Sequence, residues 1–146
     1  MSTSSSGSFE AYYRAFMTAI FVGFADAVLC LIFNIVYRTL RPDFSSAILN
    51  VSIIIFGMML VFMLVGFVYV VIRMVFRHGD LIFSVLMAVL TVIMISGIQA
   101  AHLSADPIGN ASLRGEFTAF ALIAGLSAAI GIPLLHGSHK FELYVV

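Results

Sequence analysis

Polar side chains stranded in apolar sequence are the residues of this chain that could do chemistry, and Asp26 stands first among them. It lies in the run Phe24-Ala25-Asp26-Ala27-Val28, with Arg14 and Arg38 each twelve residues away. That is about 18 Å along a helix, too far for a contact pair. A charged Asp in mid-bilayer costs roughly 2.5–3.5 kcal/mol even on a lenient insertion scale. Without a counter-charge, desolvation favours the neutral acid, hydrogen-bonded to a Thr, Ser or Asn. Two roles fit such an acid. It can titrate as a proton or cation passes with a substrate, or it can tie helices together. One acid without a chain of acids is not a relay, and a polar tie between membrane helices averages only about 0.6 kcal/mol.

Four further residues join Asp26 in a candidate intramembrane cluster: Asn34, Thr91, Gln99 and Ser127. Asp26 and Asn34 are eight apart, as are Thr91 and Gln99, so each pair falls within about 80° of a helix circumference. Asp26, Thr91 and Ser127 share a middle layer. Asn34, Gln99 and Ser52 share a second layer about 12 Å away. Thr118 has that second depth too, but nine residues put it on the opposite side of its helix from Ser127. One of the two at most faces the cluster.

Other chemistries are thinly supported. His136-Gly-Ser-His139, with His78 and Asp80 on the same side, supplies too few ligands for a coordination sphere. Cys30, the single cysteine, forms no internal disulfide and sits where a thiol behaves as a small hydrophobe. Asn110-Ala-Ser112 matches a glycosylation sequon, a pattern common by chance. No phosphate loop, Ser/His/Asp order or HExxH is present, so no catalytic residue, metal or cofactor is expected, and no enzyme. Seven Lys/Arg balance seven Asp/Glu, which leaves no basic field for nucleic acid.

The elements that must hold these residues are membrane helices. The 146 residues are 62% hydrophobic and 10% charged, whereas globular chains run nearer half apolar and a quarter charged. A span needs about 20 mostly apolar residues, and four stretches qualify: 15–37, 48–72, 81–101 and 117–135. The last three hold no Lys, Arg, Asp or Glu. Backbone groups in lipid pair within a helix or a closed barrel, and runs such as Val51-Ser-Ile-Ile-Ile-Phe-Gly-Met-Met-Leu60 lack the alternation of a barrel strand. The expectation is an all-α, integral membrane four-helix bundle.

Residues 1–14 read as a disordered or interfacial head, Ser-rich up to residue 8, and 136–146 as a short tail. Arg41-Pro42-Asp43 breaks the chain between spans one and two. Arg77-His78-Gly79-Asp80 makes a tight turn with Gly79 available for positive φ. Residues 102–116 form the longest connection, with Asp106-Pro107 and Gly109-Asn110 as turn formers. Arg14, Arg73, Arg77 and Lys140 lie on one side, and Arg38, Arg41 and Arg114 on the other. The positive-inside rule then places both termini in the cytoplasm. No basic leader precedes span one, so no cleaved signal peptide is expected.

Span four is rich in small residues. Ala121, Gly125 and Ala129 are spaced by four, as are Ser127 and Gly131, a spacing that lets backbones approach within the bundle or across a homodimer. Pro133 should bend or end that helix and free a carbonyl near Ala129. Span two, bulky nearly all round, reads as the most lipid-exposed.

Four spans and an acid in span one are similar to the small multidrug resistance transporters, which instead place a Glu near the start of that span amid aromatics including Trp. This chain has a mid-span Asp and no Trp. It more closely resembles small bacterial four-span membrane proteins of unknown function. The likeness is carried by Arg77-His-Gly-Asp-Leu-Ile-Phe83 opening span three, Ser96 late in that span, and Ile132-Pro133-Leu134-Leu135 closing span four. That resemblance implies a bacterial inner membrane and brings no activity with it. The sequence leaves two function classes open. One is a structural or accessory bundle, homo-oligomeric or within a larger membrane complex. The other is a small proton-coupled transporter or channel titrating at Asp26.

Overall fold

The computed structural model describes residues 4–40 and 50–137, and within them every regular element is a helix. In chain order these are α1 (Ser4–Leu40), α2 (Val51–Val75), α3 (Gly79–Ala100), α4 (Pro107–Leu126), a π-helical turn (Ser127–Gly131) and α5 (Ile132–His136). The last three run on as one rod. Four stretches are long and apolar enough to cross a membrane: Tyr12–Leu40, Val51–Val75, Gly79–Ala100 and Pro107–His136. The chain is therefore an all-α bundle of four membrane-length helices. The break at Arg41-Pro42-Asp43 and the tail residues Ser138, His139, Lys140 and Tyr144 lie outside the described residues, as do residues 1–3.

Two boundaries differ from the sequence expectation. The head is helical from Ser4, so it is no irregular leader. The fourth crossing begins at Pro107 and not at 117, leaving only a short link after α3. Asp106 and Pro107 are the start of a helix and not a turn. The Asp106 side chain accepts from the Gly109 N–H at 2.8 Å, and Pro107 occupies the first turn, where its missing N–H costs nothing. Asn110 then ties the link down by accepting from the Leu103 and Ser104 amides. Arg114 closes the other end of that link by donating from Nε and a terminal nitrogen to the Ala101 carbonyl, at 2.8 and 2.6 Å.

The most extensive packing is between α1 and α2, and its cause is small residues meeting large ones. Ala15, Ala19, Gly23 and Ala27 recur every four residues along α1, and all are buried. The Phe62 ring of α2 lies directly on Gly23, so close that a Cβ there would overlap it. One turn later, Gly66 of α2 sits against Ala19, where an added Cβ would come within 2.8 Å of the Ala19 methyl. Tyr69, Phe83, Ala128 and Ile132 complete this core. A second core joins Cys30, Ile54, Leu113 and Phe120.

This packing corrects the assignment of span two as the outermost helix. Helix α2 buries Ile54, Phe62, Gly66, Tyr69 and Ile72. Helix α3 buries only Gly79 and Phe83, both in its first turns, and is the more exposed of the two. Gly79 does not adopt positive φ, and no described glycine does. It is needed because the backbone passes under Arg73, where a Cβ would lie 2.9 Å from the Arg73 Cα.

Candidate functional site

Among the described residues, the buried polar side chains other than Thr18, which bonds back to the Arg14 carbonyl, gather along the seam between α1 and the fourth crossing. Asp26 and Asn34 share one stripe of α1 with Cys30 between them, at intervals of four, and all three are buried. Asp26 is 1% exposed and accepts from the Ser127 hydroxyl at 2.6 Å. Of the two donors expected for Asp26, Ser127 is the one in place. About 12 Å further along α1, the Asn34 amide donates to Glu116 Oε1 of α4, and Glu116 is fully buried. Arg38 follows one turn beyond Asn34 on α1. Asp26 Oδ2 and Glu116 Oε2 are buried and accept no hydrogen bond.

Glu116 falls one residue outside the fourth span as hydropathy bounds it, at 117–135, and so does not stand out in the sequence. Among the described residues the bundle has two buried acids in place of one, both facing the α1–α4 seam. The missed signal was local. Asp106-Pro107 reads equally well as a helix start, and a helix begun there carries Glu116 inside.

The five residues expected to converge do so only in part. Asp26 pairs with Ser127, and Asn34 pairs with Glu116. Thr91 turns back along its own helix, its hydroxyl donating to the Met87 carbonyl at 2.7 Å. Gln99 lies at the exposed end of α3 and donates to the Thr118 hydroxyl at 2.9 Å. Thr118 and Ser127 thus do face different neighbours, Ser127 alone reaching the buried acid. Thr91 and Gln99 belong to the α3–α4 contact and not to the acid seam. Ser52 is exposed.

The small residues of the fourth crossing serve two partners. Gly125 lies against the Thr91 side chain of α3, which occupies the space that a Cβ would need. Ala121 and Ala129 are buried beside it. Gly131 faces Val22 of α1, with ordinary van der Waals room for a methyl. The π turn marks where Pro133 interrupts the ladder. The Ile132 N–H reaches back five residues to the Ser127 carbonyl, and Pro133 has no N–H to give to Ala129. The Ala129 carbonyl is instead taken by the Ser84 hydroxyl of α3 at 2.6 Å, the freed group the sequence had pointed to.

At the opposite end of the bundle from Glu116, Tyr69 donates to Asp80 Oδ1 at 2.7 Å, and Arg73 Nε stands 3.6 Å from the same oxygen. The Phe83 and His136 rings meet the Tyr69 ring edge-on. Tyr37 does similar work at the Glu116 end, donating to the Ser112 carbonyl at 3.0 Å and stacking on Phe33. Among the described residues no group of three His, Cys, Asp or Glu side chains is placed to hold a metal ion. No family model, curated protein or solved structure matches the chain.

Proposed function

We propose that this chain is a structural or accessory bundle of the bacterial inner membrane, both termini cytoplasmic, that works as an oligomer or within a larger membrane complex. The observation that carries this reading is the burial of Asp26. It is 1% exposed, closed over by the Ser127 hydroxyl and flanked by Ala27 and Cys30. A coupling acid has to meet water from one side at a time, whereas a tie between helices is best kept dry. The two cavities between α2, α3 and α4 are lined by apolar residues, with Thr91 as their one hydroxyl, and Asp26 borders neither. The resemblance to small bacterial four-span proteins supports the same placement.

A second reading has one specific observation in its favour. Glu116 gives the α1–α4 seam a second buried acid, and each acid keeps an oxygen without a hydrogen bond. Two acids in line on one seam are the minimum for passing a proton, which a lone Asp26 did not meet.

Reconstitution in vesicles separates the two. With a pH gradient imposed and a pH-sensitive dye inside, a structural bundle leaves the gradient decaying at the rate of protein-free vesicles. Decay that is accelerated by the parent chain, and abolished by both Asp26→Asn and Glu116→Gln, overturns the structural reading in favour of proton transfer. Asp26→Asn keeps the size and hydrogen-bonding capacity of the side chain, so its folding matches that of the parent on the structural reading.

A further inference from the structure

We infer that the cleft between α2 and α3 is a binding site for the acyl chains of membrane phospholipids. This goes beyond either functional reading and depends on neither. The cleft exists because α3 leans on the fourth crossing, through Thr91 against Gly125 in its middle, more than it does on α2. Its first turns are fixed by Gly79 and Phe83, and its last by the Arg114 and Gln99 contacts, with no buried residue between. Two adjoining chambers of about 250 and about 240 Å³ fill the gap. They share Val61, Met94, Ala121 and Ala124, and run along α2 from Ile53 to Val68, roughly 22 Å of helix. Helix α4 provides the floor.

Three occupants compete for such a space, and the walls decide between them. Water would fit by volume many times over, but it needs two to four polar partners. The first chamber is lined wholly by apolar side chains and Gly57, and Thr91, the one hydroxyl in the second, is already bonded to its own helix. A partner helix needs small residues on the rims so that backbones can approach. The rims carry Ile53, Met58, Leu64 and Val68 on one side and Leu90 and Met94 on the other. Gly57 is the one small residue on a rim, set between the bulky Ile53 and Val61, and the others, Ala121, Ala124, Gly125 and Ala128, are on the floor. A flexible hydrocarbon chain meets neither obstacle. The cleft opens sideways at the depth of the apolar helices, where hydrocarbon is the surrounding medium, and unbranched Met side chains on both rims adapt to an irregular guest.

The test uses the full-length chain in phosphatidylcholine vesicles doped with a phosphatidylcholine that carries a photoactivatable diazirine on one acyl chain. After irradiation, adducts are mapped by mass spectrometry. Acyl chains in the cleft label Ile98 and Phe120 in the first chamber and Met87 and Thr91 in the second, in addition to outward residues such as Phe56 and Val92. Labelling of the outward residues alone overturns the proposal, whether the cleft is empty or closed by a second copy. Gly57→Leu is the second arm, because nothing lies within 4 Å of a Cβ at Gly57 and the larger side chain projects into the first chamber without clashing. It removes the Ile98 and Phe120 adducts and leaves those at Met87 and Thr91. If all four persist in Gly57→Leu, the labels did not come from the cleft and the site is refuted.

Discussion

Two glycines in the same bundle should respond oppositely to the same methyl group. Gly→Ala in a helix interior gains about 1 kcal/mol from propensity alone. At Gly57 nothing lies within 4 Å of the new Cβ, so that gain is realised in full. At Gly125 the three nearest atoms all belong to the Thr91 side chain, and they overlap the position that the methyl would take. Thr91 cannot simply rotate away, because its hydroxyl is bonded to the Met87 carbonyl. Overpacking of this kind costs typically about 1–3 kcal/mol, so Gly125→Ala should fall below Gly57→Ala by that amount. Thr91→Ala removes two of the three clashing atoms and should recover part of the loss, giving a coupling of about 0.5 kcal/mol or more in a double-mutant cycle. The assay is reversible unfolding in mixed micelles, followed by helical circular dichroism. Equal stability of the two alanine variants, or strict additivity with Thr91→Ala, would refute the reasoning.

Asn34→Leu leaves the buried Glu116 carboxyl without its donor and should cost about 1–3 kcal/mol, whereas Asn34→Leu combined with Glu116→Leu should be close to neutral; thermal unfolding in detergent checks both. Ser84→Ala should lose about 0.6–1 kcal/mol by orphaning the Ala129 carbonyl. In a Pro133→Ala background a backbone N–H can take that carbonyl, and the effect of Ser84→Ala should shrink. Cys30, 0% exposed, should resist maleimide in the folded bundle and react fully after denaturation, as read by thiol titration.

Most of the architecture was legible because the bilayer imposes a length and a composition, and both can be counted. What could not be counted was partnership. The polar stretch Asn110-Ala-Ser-Leu-Arg-Gly-Glu116 looks like a connection as long as its side chains are assumed to face water. In the fold three of its polar side chains find partners within the bundle. Asn110 holds the link, Arg114 caps α3 and Glu116 is met by Asn34. Hydropathy registers residue type and is blind to a donor eighty positions away. The inside and outside of the helices failed for a related reason. Bulk on α2 reads as a lipid-facing trait, but Phe62 and Gly66 are shaped to the Ala15-Ala19-Gly23 stripe of α1. That stripe has the same four-residue spacing as the small residues of span four. The Asp26–Ser127 pair was within reach because both sit near the middle of their spans, where errors in helix boundaries matter least.

The five residues from Ser127 to Gly131 are the place where the fourth crossing can lose a single codon at least cost. An ordinary helix advances 100° per residue, so positions four apart drift around the axis by about 40°. With the Ile132 N–H bonded to the Ser127 carbonyl, one extra residue is taken up in that turn and the drift is delayed. Ser127, Gly131 and Leu135 can then all stay turned towards the α1 side of the bundle. Deleting one alanine of the turn would restore ordinary pitch and leave the residues after it facing as before, whereas deleting one residue from the regular helix of α4 would swing everything beyond it by about 100°. The Asp26–Ser127 tie and the contact of His136 with the Tyr69 ring would both survive the first deletion. The bundle should therefore tolerate the loss of one residue from this segment better than the loss of one from α4, so that its length is under looser constraint here than in the helix before it.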